Sequence, residues 1–115
     1  IVLKSDGLAK RPFCYISDAI IGFLTVLISG KDAEAYNIGN PEAEISIRDL
    51  ALEIVDLRPE LKLRVKFNAK DDGNKYIKSP VSRACPSIDK VSHIGWIPSI
   101  GIKEGFNRTI KSFFK

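Results

Sequence analysis

The sequence predicts a small α/β lobe built from short strands and about four helices. Three observations carry that expectation. Ala19 to Ser29 is an uncharged run of eleven residues between Asp18 and Gly30, long enough for a buried helix. Leu63, Val65 and Phe67 alternate with Arg64 and Lys66, the period-two pattern of a half-buried strand. Ile47, Leu50, Ala51, Ile54 and Leu57 recur at helical spacing, as do Ile102, Phe106, Ile110 and Phe113 or Phe114.

Taken in order, Ile1 to Lys4 reads as a strand end and Ser5-Asp6-Gly7 as a turn, with Gly7 free to take positive φ. Arg11 to Ile16 is a second short strand, with Phe13 and Tyr15 on one face and Cys14 and Ile16 on the other. Asp18 is the expected N-cap of the helix that follows, and Gly30 its C′ residue. That helix is apolar nearly all round, so burial on more than one face is expected.

Glu34 to Ile38 reads as a strand leading into a Gly39-Asn40-Pro41 turn. Ser46 and Asp49 form a capping-box pattern, with Asp replacing the usual Glu or Gln, and Pro59 ends that helix. Asn68 to Cys85 is polar and without periodicity; a loop of that length is usually functional or disordered. Ser87 to Ile94 suits a short helix stopped by Gly95, and Gly101 stands at the N-cap of the last helix.

At 115 residues the chain is expected to be one domain, 1–115, with a core that needs no metal or disulfide. Its 44% apolar and 28% charged residues are those of an ordinary globular protein. The apolar run from Ala19 to Ile28 is broken by Gly22 and Thr25 and falls short of the ~20 residues of a bilayer span, so no membrane association is expected. No leader pattern opens the chain. Cys14 and Cys85 lie outside any Cys-x-x-Cys pair, which points to reduced thiols and a cytoplasmic location. One histidine and two cysteines offer no metal-ligand spacing.

The net charge of +4 comes from scattered lysines and arginines, several alternating with acids. A nucleic-acid module more often shows a basic cluster with interleaved aromatics, so no nucleic-acid partner is expected. An anionic substrate fits the same charge.

Three stretches are more specific. They are Arg11-Pro12-Phe13-Cys14-Tyr15-Ile16-Ser17-Asp18, Tyr36-Asn37-Ile38-Gly39-Asn40-Pro41-Glu42 and Gly95-Trp96-Ile97-Pro98. In that order they resemble the carboxyl-terminal substrate domain of NAD-dependent nucleotide-sugar epimerases, dehydratases and decarboxylases, the extended short-chain dehydrogenase/reductase family. The resemblance runs from roughly Lys4 to Phe114. Absent from the sequence are a Gly-x-x-Gly-x-x-Gly phosphate loop and any tyrosine followed four residues later by lysine. The resemblance therefore implies a substrate-binding lobe whose partner, a Rossmann domain carrying NAD and the catalytic Tyr and Lys, precedes this chain. The opening at Ile1, inside a strand-like run and without an initiator methionine, supports the same expectation.

The resemblance also implies site residues. Arg11 would reach the diphosphate of the nucleotide sugar, because a guanidinium offers phosphate oxygens a rigid donor fork and keeps its charge. Asn37 would donate to phosphate or orient the arginine that does, its structural alternative being to fix the following turn. Arg83 occupies the place of a basic residue that clamps the diphosphate in relatives. There Ala84 replaces the usual second basic residue, Ser87 stands where aspartate is common, and the helix after it is about one residue short, which leaves Lys78 as a fallback cation.

Other residues read as structure. Phe13, Tyr15 and Asp18 should pack and cap, Cys14 should be a small buried hydrophobe, and Trp96 should bury against the last helix. His93 suits a helix C-terminus, and Asp71-Asp72 a solvated loop pair. No catalytic constellation stands out within the chain. The expected function is thus the nucleotide-diphosphate-sugar-binding lobe of an epimerase, dehydratase or decarboxylase, inactive alone and part of a homodimer at full length. The alternative is a non-catalytic basic module that binds RNA or a protein partner.

Overall fold

The computed structural model describes residues 1–67 and 80–113. The expectations attached to Asp71-Asp72, Lys78 and Phe114 fall outside these residues. The chain forms a small α/β structure with the order β1 (Val2–Leu3), β2 (Lys10–Pro12), α1 (Ile16–Ser29), β3 (Glu44–Ser46), α2 (Ile47–Asp56), β4 (Lys66–Phe67), α3 (Asp89–Ser92) and α4 (Ile102–Phe113). It divides into two compact units, the first Ile1–Arg11 with Ile45–Ala84, the second Pro12–Glu44 with Cys85–Lys115.

In the first unit β1 pairs with β4 in parallel, Val2 opposite Lys66 and Leu3 opposite Phe67. This strand is shorter than the alternation of 63–67 suggests. Leu63 and Phe67 remain exposed, because the two-residue ladder has no layer covering its face. The Arg48 guanidinium lies 4.7 Å from the Phe67 ring centroid and shields part of that ring. Leu50 and Ala51 of α2 are buried with Leu3, in line with the helical spacing of the sequence.

Gly7 has φ +71°, and a Cβ there would meet the Arg48 backbone nitrogen at 3.0 Å. The residue must be glycine on both counts, and the approach lets the Gly7 carbonyl accept from the Arg48 amide at 2.9 Å. The α2 N-terminus is capped as expected: the Ser46 hydroxyl accepts from the Asp49 amide at 3.0 Å and donates to the Asp49 carboxylate at 2.6 Å. The aspartate takes the hydroxyl where a longer Glu would return to the N-cap backbone.

The second unit departs from the sequence reading in four places. α1 begins at Ile16, with Tyr15 at the N-cap and no side-chain cap, so Asp18 lies inside the first turn. β2 accordingly ends at Pro12 and does not reach Ile16. Gly30 closes α1 in an extended conformation, φ −70° and ψ 157°, instead of a left-handed one. Glycine is still required there, because a Cβ would lie 2.5 Å from the Val26 carbonyl oxygen. Residues 34–38 form no strand, since among the described residues no neighbouring backbone supplies a ladder.

Asp18 has a different task from capping its own helix. Its carboxylate is buried and accepts from the Ser99 amide at 2.9 Å, the Ile100 amide at 2.8 Å and the Ser99 hydroxyl at 3.0 Å. The Trp96 indole N–H donates to the Asp18 carbonyl at 3.0 Å. The tryptophan is 2% exposed and packs at Gly22 of α1, where an added Cβ would sit 2.9 Å from its ring. The expected site against the last helix is thereby corrected to α1, because a residue without a side chain lets the indole reach the helix backbone.

Beyond Trp96 the chain leads to Gly101 and α4, whose first intrahelical bond runs from the Gly105 amide to the Gly101 carbonyl. Phe13 meets Phe106 edge-on at 5.7 Å. Phe113, placed by spacing on the inward stripe, is exposed. Gly95, with φ +95°, stops the short helix as expected.

Gly22→Val should force the indole and Ile38 outward and cost about 1–3 kcal/mol as overpacking. The check is thermal unfolding followed by tryptophan fluorescence: a lowered midpoint with a red-shifted native spectrum is expected.

Candidate functional site

Backbone bonding in the first unit joins β2, which carries Arg11, to the segment that carries Arg83. Lys10 of β2 bridges Arg83 in parallel, and the Lys10 amide donates to the Ser82 carbonyl at 2.9 Å. Arg11 and Arg83 each follow directly on one of these bonded residues. The Arg11 guanidinium donates to the Lys10 carbonyl at 2.6 Å and, 70 residues away in sequence, to the Val81 carbonyl at 2.9 Å. Two of its bonds thus go to backbone oxygens.

Asn37 belongs to the second unit. Its side-chain amide donates to the Ser87 carbonyl at 3.1 Å and ties the two segments of that unit together. The residue that fixes the Gly39-Asn40-Pro41 turn is Asn40: its Oδ1 accepts from the Glu42 amide at 3.1 Å and its Nδ2 donates to the Ile100 carbonyl at 3.2 Å. Both groups of this buried amide are thus satisfied, which the sequence alone did not reveal. Lys90 was likewise missed. It salt-bridges Glu34 at 2.8 Å, donates to the Ala35 carbonyl at 2.8 Å and lies 4.5 Å from the Tyr36 ring centroid. That cluster holds the segment leading to Asn37 and draws the Glu34 carboxyl below its usual range, through the Lys90 hydrogen bond first and its charge second.

The remaining polar groups of the second unit form no proton relay. Ser87 donates to the Asp89 carboxylate at 2.7 Å, yet His93 Nδ1 donates to the Asp89 backbone carbonyl at 2.5 Å, as a helix-end histidine does. Burial, then the nearby Asp18 charge, pushes the Cys14 thiol up, which disfavours the thiolate a nucleophile requires. Cys14 and Cys85 are both free. Among the described residues no group of His, Cys, Asp and Glu could hold a metal ion, and no helix is long and apolar enough to cross a membrane.

A cavity of about 170 Å³ opens in the second unit among Phe13, Tyr15, Ile16, Ile102, Gly105 and Phe106. None of Arg11, Asn37 and Arg83 lines it. Its walls suit an apolar group, so it is not where an anion would bind, and the arginine pair remains the better candidate.

Known proteins resemble this chain in sequence and in fold. Human dTDP-D-glucose 4,6-dehydratase is 33% identical over 109 residues, 95% of this chain and 31% of that enzyme. UDP-glucuronic acid decarboxylase 3 of Arabidopsis thaliana is 32% identical over 107 residues, 91% of this chain and 28% of that enzyme. The chain is a homologue of these nucleotide-sugar epimerase/dehydratase-family enzymes.

It spans about a third of their length. The fold agrees: UDP-glucose 4-epimerase from Thermotoga maritima matches with a TM-score of 0.80 at 19% identity, over 99% of this chain and 34% of that one. The dTDP-glucose 4,6-dehydratase of Bacillus anthracis matches with a TM-score of 0.79 at 22% identity, over 98% and 34%. No protein-family model matches the chain.

The pKa of the buried Asp18 is shifted by its surroundings. Desolvation by burial raises its pKa, but the Ile100 amide, the Ser99 amide and hydroxyl, and the Arg108 charge together outweigh it and leave the pKa lowered. A lowered folded-state pKa stabilises the fold fully above the ordinary value of 3.8, and that contribution is lost as pH falls through the lowered one. Stability measured by denaturant titration should drop on acidification below 3.8, and Asp18→Asn should be less stable at neutral pH with a shallower acid slope.

Proposed function

We propose that this chain is the substrate-binding lobe of an NAD-dependent nucleotide-sugar epimerase, dehydratase or decarboxylase, with Arg11 and Arg83 as diphosphate ligands. The observation that supports the reading is the homology of the chain to such enzymes, together with the backbone bonding of β2, which carries Arg11, to the segment that carries Arg83. Arg11 and Arg83 would supply two permanent cations to a diphosphate, each with a planar donor fork. Asn37 is proposed as a substrate-binding residue on the family resemblance alone; in the structure its amide donates to the Ser87 carbonyl.

A solved relative, the dTDP-glucose 4,6-dehydratase of Streptomyces venezuelae, holds NAD and a ligand designated TYD. The UDP-glucuronic acid 4-epimerase of Bacillus cereus holds UDP-glucuronic acid and NAD. NAD would accept hydride from the sugar and return it. The residues of this chain do not fit a dinucleotide, since they include no glycine-rich phosphate loop and no Tyr-x-x-x-Lys pair. NAD is therefore assigned to a Rossmann domain accompanying this one, and no chemical step is assigned to residues here.

What this lobe would contribute is binding energy at the diphosphate, away from the reacting carbon, used to position the sugar. Whether the sugar is inverted, dehydrated or decarboxylated would be decided by the lobe that holds the cofactor. A homodimer and a cytoplasmic location are the corresponding proposals for the full-length enzyme.

In the full-length enzyme, Arg11→Ala should weaken substrate binding roughly tenfold to hundredfold, the value of about 1.5–3 kcal/mol for a hydrogen bond to a charged group. Arg83→Ala should act similarly, and Arg11→Lys should restore only part, because a point charge cannot reproduce the planar fork. Since Arg11 also holds the Val81 carbonyl, its loss should lower the melting temperature slightly. Normal affinity in either alanine variant, read by calorimetry, would refute the clamp.

The chain alone should reduce no NAD in the presence of a sugar nucleotide, and should prefer UDP to UMP. Equal binding of the two, or tighter binding of single-stranded RNA than of either, would favour a general basic module.

A further inference from the structure

The apolar cavity of the second unit has no part in diphosphate binding, yet its walls are chemically specific. Three aromatic side chains line it, Phe13, Tyr15 and Phe106. Phe13 and Phe106 meet edge-on, with centroids 5.7 Å apart and planes inclined at 65°, an arrangement that aromatic rings favour. Among the described residues no charged side chain lines the space.

Two of the polar side chains in its wall are turned to the backbone. The Cys14 thiol donates to the Tyr15 carbonyl at 3.8 Å, and the Thr109 hydroxyl to the Gly105 carbonyl at 2.9 Å. A resident water needs about two to four polar partners, and donors committed in this way do not serve it. Another part of the wall is Ile100, whose amide the buried Asp18 carboxylate holds at 2.8 Å. That side of the cavity is therefore formed before any guest arrives, as small-molecule sites usually are. The volume, about 170 Å³, is close to that of an engineered apolar cavity of about 150 Å³ that stays dry and binds benzene.

We propose that this cavity is a binding site for a small, uncharged, monocyclic aromatic ring. Such a guest adds one more ring to the Phe13–Phe106 pair and asks the wall for no hydrogen bond. A cation is the poorer guest, although aromatic faces attract cations: the Arg108 guanidinium already lies 5.8 Å from the Tyr15 ring centroid and would repel it. The inference is independent of the diphosphate reading.

Cys14 lines the cavity and Cys85 does not, so the two thiols report on its occupancy. Alkylation by N-ethylmaleimide is followed for each cysteine by peptide mass spectrometry, in the polypeptide that carries this chain, with benzene as the probe. Cys14 alkylation should slow saturably, about tenfold at a benzene concentration ten times the dissociation constant, while Cys85 alkylation stays unchanged. Thr109→Phe, which fills the space, should abolish the benzene effect, and Thr109→Val should preserve it.

No slowing at Cys14, or equal slowing at both cysteines, would overturn the site. So would a Cys14 that resists alkylation before benzene is added, since another group would then fill the cavity. Equal protection by tetramethylammonium or by benzoate would overturn the uncharged class of guest. If Thr109→Phe fails to fold, seen as fast alkylation of both thiols, loss of the benzene effect in Thr109→Val would overturn the proposal and its retention would support it.

Discussion

The buried Asp18 carboxylate is the constraint on which the second unit depends. A charge this far from water is tolerated only if its lone pairs are filled, and here two backbone amides and a hydroxyl fill them. The three donors come from Ser99 and Ile100, so the carboxylate fixes the loop that follows Trp96. The Trp96 indole closes the arrangement from the other side by donating to the Asp18 carbonyl, and the Asn40 amide takes the Ile100 carbonyl. One first-turn residue of α1 thereby sets where the tryptophan lies, where the Asn40 turn docks and where α4 can start.

The first unit is organised by different means. Its two-residue β1–β4 ladder buries little, and its order comes from close backbone approaches such as that of Gly7 to Arg48. The same device holds the two arginines. Lys10 stands opposite Arg83 because β2 and the 82–83 segment are bonded through their backbones, and Arg11 follows Lys10 in β2.

The apolar cavity of the second unit and the arginine pair of the first illustrate how shape and charge can point to different places. The cavity is lined by aromatic and aliphatic groups and would desolvate a diphosphate at high cost without donors to replace water. The arginines supply donors without a deep enclosure. Binding energy for an anion follows the donors, and this is why the functional reading rests on strand pairing and not on the cavity.

Much of this was legible in the sequence because it is local chemistry. The Ser46 cap, the Pro59 stop, the helical stripe of α2 and the glycine that ends the short helix each depend on residues within a turn of one another, and each appears where the pattern put it. The family resemblance was legible for a related reason: turn glycines and motif aromatics are set by backbone geometry that the residue types encode directly. What the tertiary structure alone decided involves partners far apart in sequence. Asp18 has the composition of a helix cap, but amides 81 and 82 residues away claim its carboxylate. Residues 34–38 have the composition of a strand, but strand formation requires an edge to bond, and no composition can provide one. α1 has the composition of a buried helix, and only the fold shows which arc is covered and which is left bare. Local preference names the element; burial and bonding partners, which come from elsewhere in the chain or outside it, determine what the element becomes.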